Sequence, residues 1–158
     1  MAIRERDEMK IRIEIEDNLK EEEIIIRSSS LSQEVQKIQR AISDVLAMGQ
    51  KLCFYKGDTS YYLPLEEILF FETEGSEVQA HTKGQVYGTK YRLYELEEML
   101  PGFFMRISKS TILNTKCIFA VTKSLTASCI VEFQDTHKQV YVSRYYYKPL
   151  RNRLEEKR

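Results

Sequence analysis

Apolar and charged residues alternate near the N-terminus of this chain. The apolar set is Met9, Ile11, Ile13 and Ile15, and the charged set is Lys10, Arg12, Glu14 and Glu16. A period of two is typical of a β-strand that buries one face. A second apolar run at 24–26 follows polar residues at 17 and 18, and it predicts a second strand after a turn.

The apolar period changes beyond residue 30. Ser30 and Gln33 have the spacing of a capping box, which marks the start of a helix. Spacings of four, three, four and three then place five apolar side chains on one helical face. They are Leu31, Val35, Ile38, Ile42 and Val45. Residues 1–50 are therefore predicted to form a strand-strand-helix unit, which joins the rest of the chain at residues 46–50.

A unit of this size buries little apolar surface by itself, so it needs a further surface to pack against. The helical stripe either pairs with a second copy of the chain or covers its own two strands. Two heptads are too few to establish a coiled coil. The predicted role of residues 1–50 is homodimerisation or the reception of a regulatory signal.

Short apolar runs separated by turn residues dominate the second part of the chain, residues 51–158. They predict strands at 52–55, 61–63, 68–72, 78–81, 86–87, 112–113, 117–121, 129–133 and 140–142. Leu93, Leu96 and Leu100 predict a short helix between them. Since Pro149 is tolerated only in the first turn of a helix, the last helix is predicted to begin at Lys148 or Pro149. The expected fold class is α+β, mainly β, with an antiparallel sheet.

The formal net charge is zero, because 24 Lys and Arg balance 24 Asp and Glu. The charges are nevertheless segregated, with 11 basic and 4 acidic residues in 102–158 and an acidic excess before them. A basic end of this kind is typical of nucleic-acid binding, although a solvated surface produces the same pattern.

Other functional classes find little support in the residues. His81 and His137 accompany no recognisable nucleophile motif, so no catalytic residue, small-molecule substrate, metal or cofactor is predicted. Cys53, Cys117 and Cys129 lie in separate apolar runs and are predicted to be buried thiols. No apolar run approaches the roughly 20 residues of a membrane-spanning helix, and the charged N-terminus is unlike a signal peptide. A cytoplasmic protein is expected.

Arg144 is the strongest single candidate for chemistry. It follows a predicted strand and precedes Tyr145, Lys148 and the last helix. A guanidinium at such a corner presents a planar fork of donors that suits phosphate or the edge of guanine.

Four stretches in this order resemble the LytTR family of bacterial DNA-binding domains: 68–72, 93–100, 103–114 and 142–144. The resemblance covers roughly residues 51–154. It implies a transcriptional regulator with an elongated β-sheet, whose loops rather than a recognition helix enter successive major grooves of double-stranded promoter DNA.

The resemblance also implies where the DNA contacts lie. They come from the loop after 68–72, from the basic turn around Lys109, and from Arg144, while Arg106 and Ser110 support the turn or reach phosphates. Tyr145 and Lys148 could reach the flanking backbone. The predicted DNA-binding residues are Ser76, Glu77, Arg106, Lys109, Ser110, Arg144, Tyr145 and Lys148.

The sequence departs from the family pattern at two places. Ser108 occupies a position where a histidine is common, and the first loop is acidic, with Glu72, Glu74 and Glu77. A carboxylate there either accepts from cytosine or is a solvated loop residue.

The first 50 residues are too few for the receiver domain that members often carry. Control by a partner protein is therefore expected, and a small membrane protein encoded alongside is one candidate. The alternative function is an RNA-binding or protein-interaction β module, since aromatic residues on strands can stack on bases.

Overall fold

Ten strands and three α-helices occupy residues 9–125 and 129–155, the part of the chain that the computed structural model describes. The helices are α1 (Gln33–Ala47), α2 (Leu93–Met99) and α3 (Arg144–Glu155). The strands are β1 (Lys51–Lys56), β2 (Thr59–Pro64), β3 (Phe70–Glu74), β4 (Glu77–His81), β5 (Val86–Thr89), β6 (Phe104–Arg106), β7 (Thr111–Asn114), β8 (Ile118–Lys123), β9 (Cys129–Phe133) and β10 (Gln139–Val142). Within these residues, no helix has the length and apolar character needed to cross a membrane.

The strands form two antiparallel sheets. The larger has the order β2-β1-β5-β4-β3-β7-β6, and the smaller has the order β10-β9-β8. The prediction of an α+β, mainly β, antiparallel fold is therefore confirmed. Strand β6 was not predicted, because three residues are too short a run to show a period of two.

Two neighbouring strands of the larger sheet, β3 and β7, have buried side chains on both faces. Neighbouring residues in a strand point to opposite faces. Thus Ile112 joins a core with Phe71 and Leu96 of α2, whereas Leu113 joins a second core with Leu150 of α3. This two-sided burial explains why residues 68–71 read as a continuous apolar run.

Asn114 is a fully buried polar residue at the end of β7. Its side-chain amide donates to the carbonyl of Ile68 at 3.0 Å, and its carbonyl accepts from the N–H of Lys116 at 3.0 Å. Both ends of the amide are thus satisfied, as burial demands. Asn114 is a structural tie rather than a surface residue.

The helix predicted before residue 50 is present as α1. The predicted capping box of Ser30 and Gln33 is not formed: Ser32 is the N-cap, and its hydroxyl accepts from the N–H of Val35 at 3.2 Å. Leu31, which was predicted to lie on the helical face, therefore precedes the helix. Beyond its end, the N–H of Gly49 donates to the Glu66 carboxylate at 2.9 Å, and the N–H of Leu65 donates to the carbonyl of Gln50 at 3.1 Å. The end of α1 is therefore attached to the β domain.

The two strands predicted before α1 are not formed, which corrects the strand-strand-helix prediction. Among the described residues of 9–27, the one backbone hydrogen bond runs from Leu19 N–H to the Glu16 carbonyl, at 3.4 Å. Continuing this turn as a hairpin would oppose Ile15 to Lys20 and Glu14 to Glu21. Mismatched and like-charged pairs weaken a ladder, so the segment does not pair with itself as a hairpin.

The start of the last helix also differs from the prediction. Helix α3 begins at Arg144, so Pro149 lies inside it, where the ring removes one hydrogen bond. The fully buried Leu150 anchors the next position. Tertiary packing thus holds a helix that local preference alone would start later.

The three cysteines are unpaired. Cys129 is buried, as predicted, whereas Cys53 and Cys117 are only half-buried. Burial raises the pKa of Cys117 and of Cys129, so both thiols stay protonated near neutral pH.

His81, on β4 of the larger sheet, lies at a contact with the smaller sheet. Its ring stacks on Phe70 with centroids 4.3 Å apart, and Lys138 Nζ is 3.4 Å from its Nδ1. The pKa of His81 falls from 6.5 to about 4, because burial disfavours the imidazolium and Lys138 repels it.

The lowered pKa of His81 predicts a loss of stability in mild acid. The unfolded chain takes up a proton near pH 6.5 that the folded chain refuses, so stability falls as the pH drops from 6.5 towards 4. Allowing for partial exposure of the ring, the loss is about 1–2 kcal/mol. Urea unfolding of wild type and His81→Gln between pH 7 and pH 4.5 measures it. Parallel pH dependences of the two proteins would contradict the assignment.

Candidate nucleic-acid interface

Two loops leave the larger sheet at the same end. Strands β3 and β7 are antiparallel, with Glu72 opposite Thr111. The β3–β4 hairpin and the turn that precedes β7 are therefore neighbours. A hydrogen bond from Thr73 N–H to the Ser110 carbonyl, at 2.9 Å, joins them.

The β3–β4 hairpin has a loop of two residues, Gly75 and Ser76, between the paired Glu74 and Glu77. Gly75 has a φ of +63°, which glycine adopts without strain at the first loop position. Ser76 and Glu77 are exposed at the tip. This loop presents carboxylates and one hydroxyl to solvent.

Arg106 organises the basic turn, residues 107–110. Its Nε donates to the Ser108 carbonyl at 3.0 Å and its Nη2 to the Lys109 carbonyl at 2.6 Å. Its Nη1 donates to the Glu97 carboxylate of α2 at 2.7 Å. Since the Arg106 side chain is 21% exposed, it acts as a clamp on the turn rather than as a free cation.

The two serines of the turn are also engaged. The Ser108 hydroxyl accepts from the N–H of Ser110 at 3.2 Å and lies 3.3 Å from the Ser110 hydroxyl. Lys109 is exposed between them. The turn thus has a rigid backbone and one projecting ammonium group.

The corner between β10 and α3 is attached to this turn. The N–H of Ser143 donates to the carbonyl of Ile107 at 2.9 Å. The Ser143 carbonyl accepts from the N–H groups of Tyr146 and Tyr147 at 3.0 and 3.1 Å, which begins α3. Arg144 follows as the first residue of the helix, and it is exposed.

We name this set of three neighbouring segments the loop cluster: the hairpin tip 75–77, the turn 107–110 and the corner 143–145. Of the predicted residues, Arg106 and Ser110 are partly buried and make hydrogen bonds within or to the turn 107–110. The exposed ones are Ser76, Glu77, Lys109, Arg144, Tyr145 and Lys148. Lys148 lies one helical turn beyond Arg144.

Two residues that shape the site were not identified from the sequence. The Glu97 carboxylate holds Arg106. The Nη1 of Arg153 donates to the Gly102 carbonyl at 2.5 Å. Each contact joins a helix to another element or loop, so the apolar period of one element does not reveal it.

Among the aromatic residues on strands β1 to β3, the phenylalanines lie in the core, whereas Tyr62 is 68% exposed. Phe54, Phe70 and Phe71 are at most 3% exposed. A stacking platform requires exposed rings beside basic residues, so these phenylalanines do not provide one.

Replacing Arg106 should loosen the turn that carries Lys109. Arg106→Ala leaves two carbonyls without their charged donor, so we expect a loss of about 1–3 kcal/mol in the free energy of unfolding. Arg106→Lys should recover little, because an ammonium cannot reproduce the fork. Urea unfolding measures the loss, and Arg151→Ala on exposed α3 is the control. Equal stability of Arg106→Ala and wild type would rule out the clamp.

Comparison with known proteins identifies the family of this chain. The LytTr DNA-binding domain family matches residues 58–155. An uncharacterized HTH-type transcriptional regulator of Staphylococcus aureus (strain bovine RF122 / ET3-1) is 33% identical over 146 residues, which cover 92% of this chain and 98% of that protein. A protein of the same description from strain NCTC 8325 / PS 47 is 32% identical over the same length.

The fold has a solved counterpart as well. The LytTr DNA-binding domain of a Bacillus cereus protein superimposes with a TM-score of 0.61 at 21% identity, covering 65% of this chain and 94% of that domain. The family match covers more than half of the chain, and the relatives are matched over nearly their whole length. This chain belongs to the LytTR family of DNA-binding transcriptional regulators.

Proposed function

We propose that the loop cluster is the surface that reads promoter DNA, with Arg144 and Lys109 as its central contacts. The observation that supports this most is the hydrogen bond from Ser143 N–H to the Ile107 carbonyl. It joins the corner that carries Arg144 to the turn that carries Lys109. Because both backbones are rigid, the two cations keep a fixed spacing. Specific recognition of a duplex requires such a fixed spacing between contacts.

The exposed residues divide into two roles. Lys109 lies in the exposed turn and Arg144 at the corner where α3 begins, and both donate to guanine N7 and O6 in the major groove. Tyr145 and Lys148 lie on the outer side of α3 and contact phosphates, which position the protein without reading sequence. Arg106 and Ser110 act indirectly, because they hold the turn.

The start of α3 favours an anion. Its first turn contains no acidic residue and begins with Arg144. A cation there opposes the helix dipole, whose N-terminal end is positive. A DNA phosphate would relieve this repulsion and would accept from the free N–H groups of the first turn.

The acidic β3–β4 hairpin has a different role in this proposal. Glu74 and Glu77 repel phosphates, so the tip avoids the DNA backbone and enters the groove only where a base edge offers a donor. The amino group of cytosine is such a donor. Glu77 accepts from it, and the Ser76 hydroxyl contacts either partner of the pair.

Arg144→Ala should lose affinity mainly for the native site. We expect a loss of about 1–3 kcal/mol on a duplex from the chain's own upstream region, and less on a scrambled duplex. Fluorescence anisotropy over a salt series measures both. Arg151→Ala is the matched control, since it removes the same charge from the same helix, two turns beyond the corner.

An equal loss for Arg144→Ala on both duplexes would assign Arg144 to phosphate contact instead of base reading. An equal loss for Arg144→Ala and Arg151→Ala would make the effect one of net charge. If wild type binds neither duplex at low salt, the loop cluster is not the DNA surface of this chain.

The protein is proposed to act as a homodimer in the cytoplasm, where its promoter DNA lies. Apolar side chains on residues 11–15 and on α1 remain exposed in the single chain, among them Ile13 and Leu46. Exposed patches of this kind mark association surfaces. Control by a partner protein, including a small membrane protein, stays a prediction from the family resemblance.

A dimer should require two half-sites on one face of the duplex. An insertion of one helical turn, which is about 10.5 base pairs, keeps both half-sites on the same face of the duplex. An insertion of about 5 base pairs is half a turn, and it moves one half-site to the opposite face. We therefore expect tight binding after the longer insertion and weak binding after the shorter one. Anisotropy on the two duplexes measures this. Equal affinity for both would indicate that the copies bind independently.

A further inference from the structure

Three isoleucines of the N-terminal segment point into solvent. Ile11, Ile13 and Ile15 are 93%, 83% and 88% exposed. Burial of one such side chain is worth about 1.5–3 kcal/mol, so the described chain leaves a strong driving force for association unused. Residues 9–15 form neither helix nor strand, and their backbone groups make no backbone hydrogen bond among the described residues.

The chain does not provide the missing partner within residues 9–125 and 129–155. The turn at 16–19 would oppose Ile13 to Glu22 and Glu14 to Glu21 if it were extended into a hairpin. An apolar side chain facing a charge, beside a pair of like charges, makes this register unfavourable. The partner for residues 10–16 must therefore carry a different pattern.

A second copy of the same segment carries the complementary pattern. The charges around Ile13 are reversed in sign from one side to the other: Lys10 and Arg12 precede it, and Glu14 and Glu16 follow it. When two copies run antiparallel about Ile13, Arg12 faces Glu14 and Lys10 faces Glu16 on one side of the ribbon. On the other side Ile13 faces Ile13.

We propose that residues 10–16 of two copies pair as an antiparallel β-ribbon centred on Ile13. The proposal names the contact of the homodimer proposed above, and it is independent of how the loop cluster binds DNA. Ile11 of each copy then faces Ile15 of the other, so all six isoleucines share one face. The match with the Staphylococcus aureus relatives spans 92% of this chain, so it extends beyond the DNA-binding domain into the N-terminal region.

The charges also select the register. A slip by two residues would oppose Arg12 to Arg12 in one direction, or Glu14 to Glu14 in the other. A slip by one residue would face isoleucine with charge. A parallel pairing in register would oppose every charge to itself. Only the antiparallel register about Ile13 satisfies both faces of the segment.

The apolar face of the ribbon has a surface to rest on. Ile15 lines a groove of about 750 Å³ together with Leu19, Ile26, and Ile42 and Leu46 of α1. A two-stranded ribbon alone is only marginally stable. Because Ile11 of the second copy lies beside Ile15, it reaches this groove, and each α1 supports the ribbon. Arg12 and Glu14 already lie 2.7 Å apart within one chain, so both charges are placed on the polar face.

A charge exchange in the full-length chain tests the pairing. Arg12→Glu opposes carboxylates at two symmetric positions, so we expect the dimer dissociation constant to rise about tenfold or more. The double variant Arg12→Glu with Glu14→Arg restores opposite charges and should return to within about threefold of wild type. Sedimentation equilibrium measures the dimer dissociation constants. The control is Lys51→Glu, which makes the same change of charge at the exposed first residue of β1.

A crosslink reports the register directly. Cysteines at the symmetric position lie within disulfide reach, because paired strands hold Cα atoms about 4.5–5.5 Å apart. Ile13→Cys should therefore form a disulfide-linked dimer on mild oxidation, whereas Glu14→Cys and wild type should not. Equal crosslinking of Ile13→Cys and Glu14→Cys, or a monomeric wild type at micromolar concentration, would overturn the ribbon.

The same samples separate this proposal from DNA binding. A duplex with one half-site measures the loop cluster alone, and Arg12→Glu should bind it as wild type does. If the charge exchange fails to rescue the dimer while single-site binding is intact, only the ribbon is wrong. If single-site binding is lost in Arg144→Ala alone, the DNA surface stands whatever the ribbon does.

Discussion

The burial of β3 and β7 on both faces is the constraint on which the rest of the structure depends. Phe71 and Ile112 face the core under α2, while Leu113 faces the core under α3 and the smaller sheet. Buried strands hold their register strongly, because a slip of one residue would exchange the two faces. The loops at the end of these strands therefore begin and end at rigid positions. A few side-chain hydrogen bonds are then enough to fix the orientation of the loops.

These rigid positions bring separate stretches of sequence together as one surface. Arg106 holds the turn around Lys109 through two carbonyls, and Glu97 holds Arg106 in place. The N–H of Ser143 then attaches the corner that carries Arg144. Recognition by loops costs ordering entropy unless the loops are organised beforehand. Here the hydrogen bonds order the loops during folding, so Lys109 and Arg144 are in place before the DNA contact that we propose for them.

The N-terminal segment follows the opposite logic. It contributes little to the described cores, since Val35 is its one buried apolar residue in the described part of 9–47. Its alternating pattern around Ile13 is that of a strand, yet a strand exists only when a second strand pairs with it. The prediction of two strands was wrong for the single chain. A period of two shows that a segment is suited to pair as a strand, but it does not show whether a partner strand is present.

By itself, the sequence determined the presence of α1 and the strands of the β domain except β6, because the apolar period acts over a few neighbouring residues. Its resemblance at 68–72, 93–100, 103–114 and 142–144 also indicated the family. Only tertiary structure decided that α3 begins before Pro149, because the buried Leu150 anchors that helix. The same holds for the contacts of Arg106 and Arg153 and for the half-buried position of His81. Each of these contacts depends on a residue of another element or loop, namely Glu97, Gly102 or Lys138. Local patterns carry no record of such neighbours.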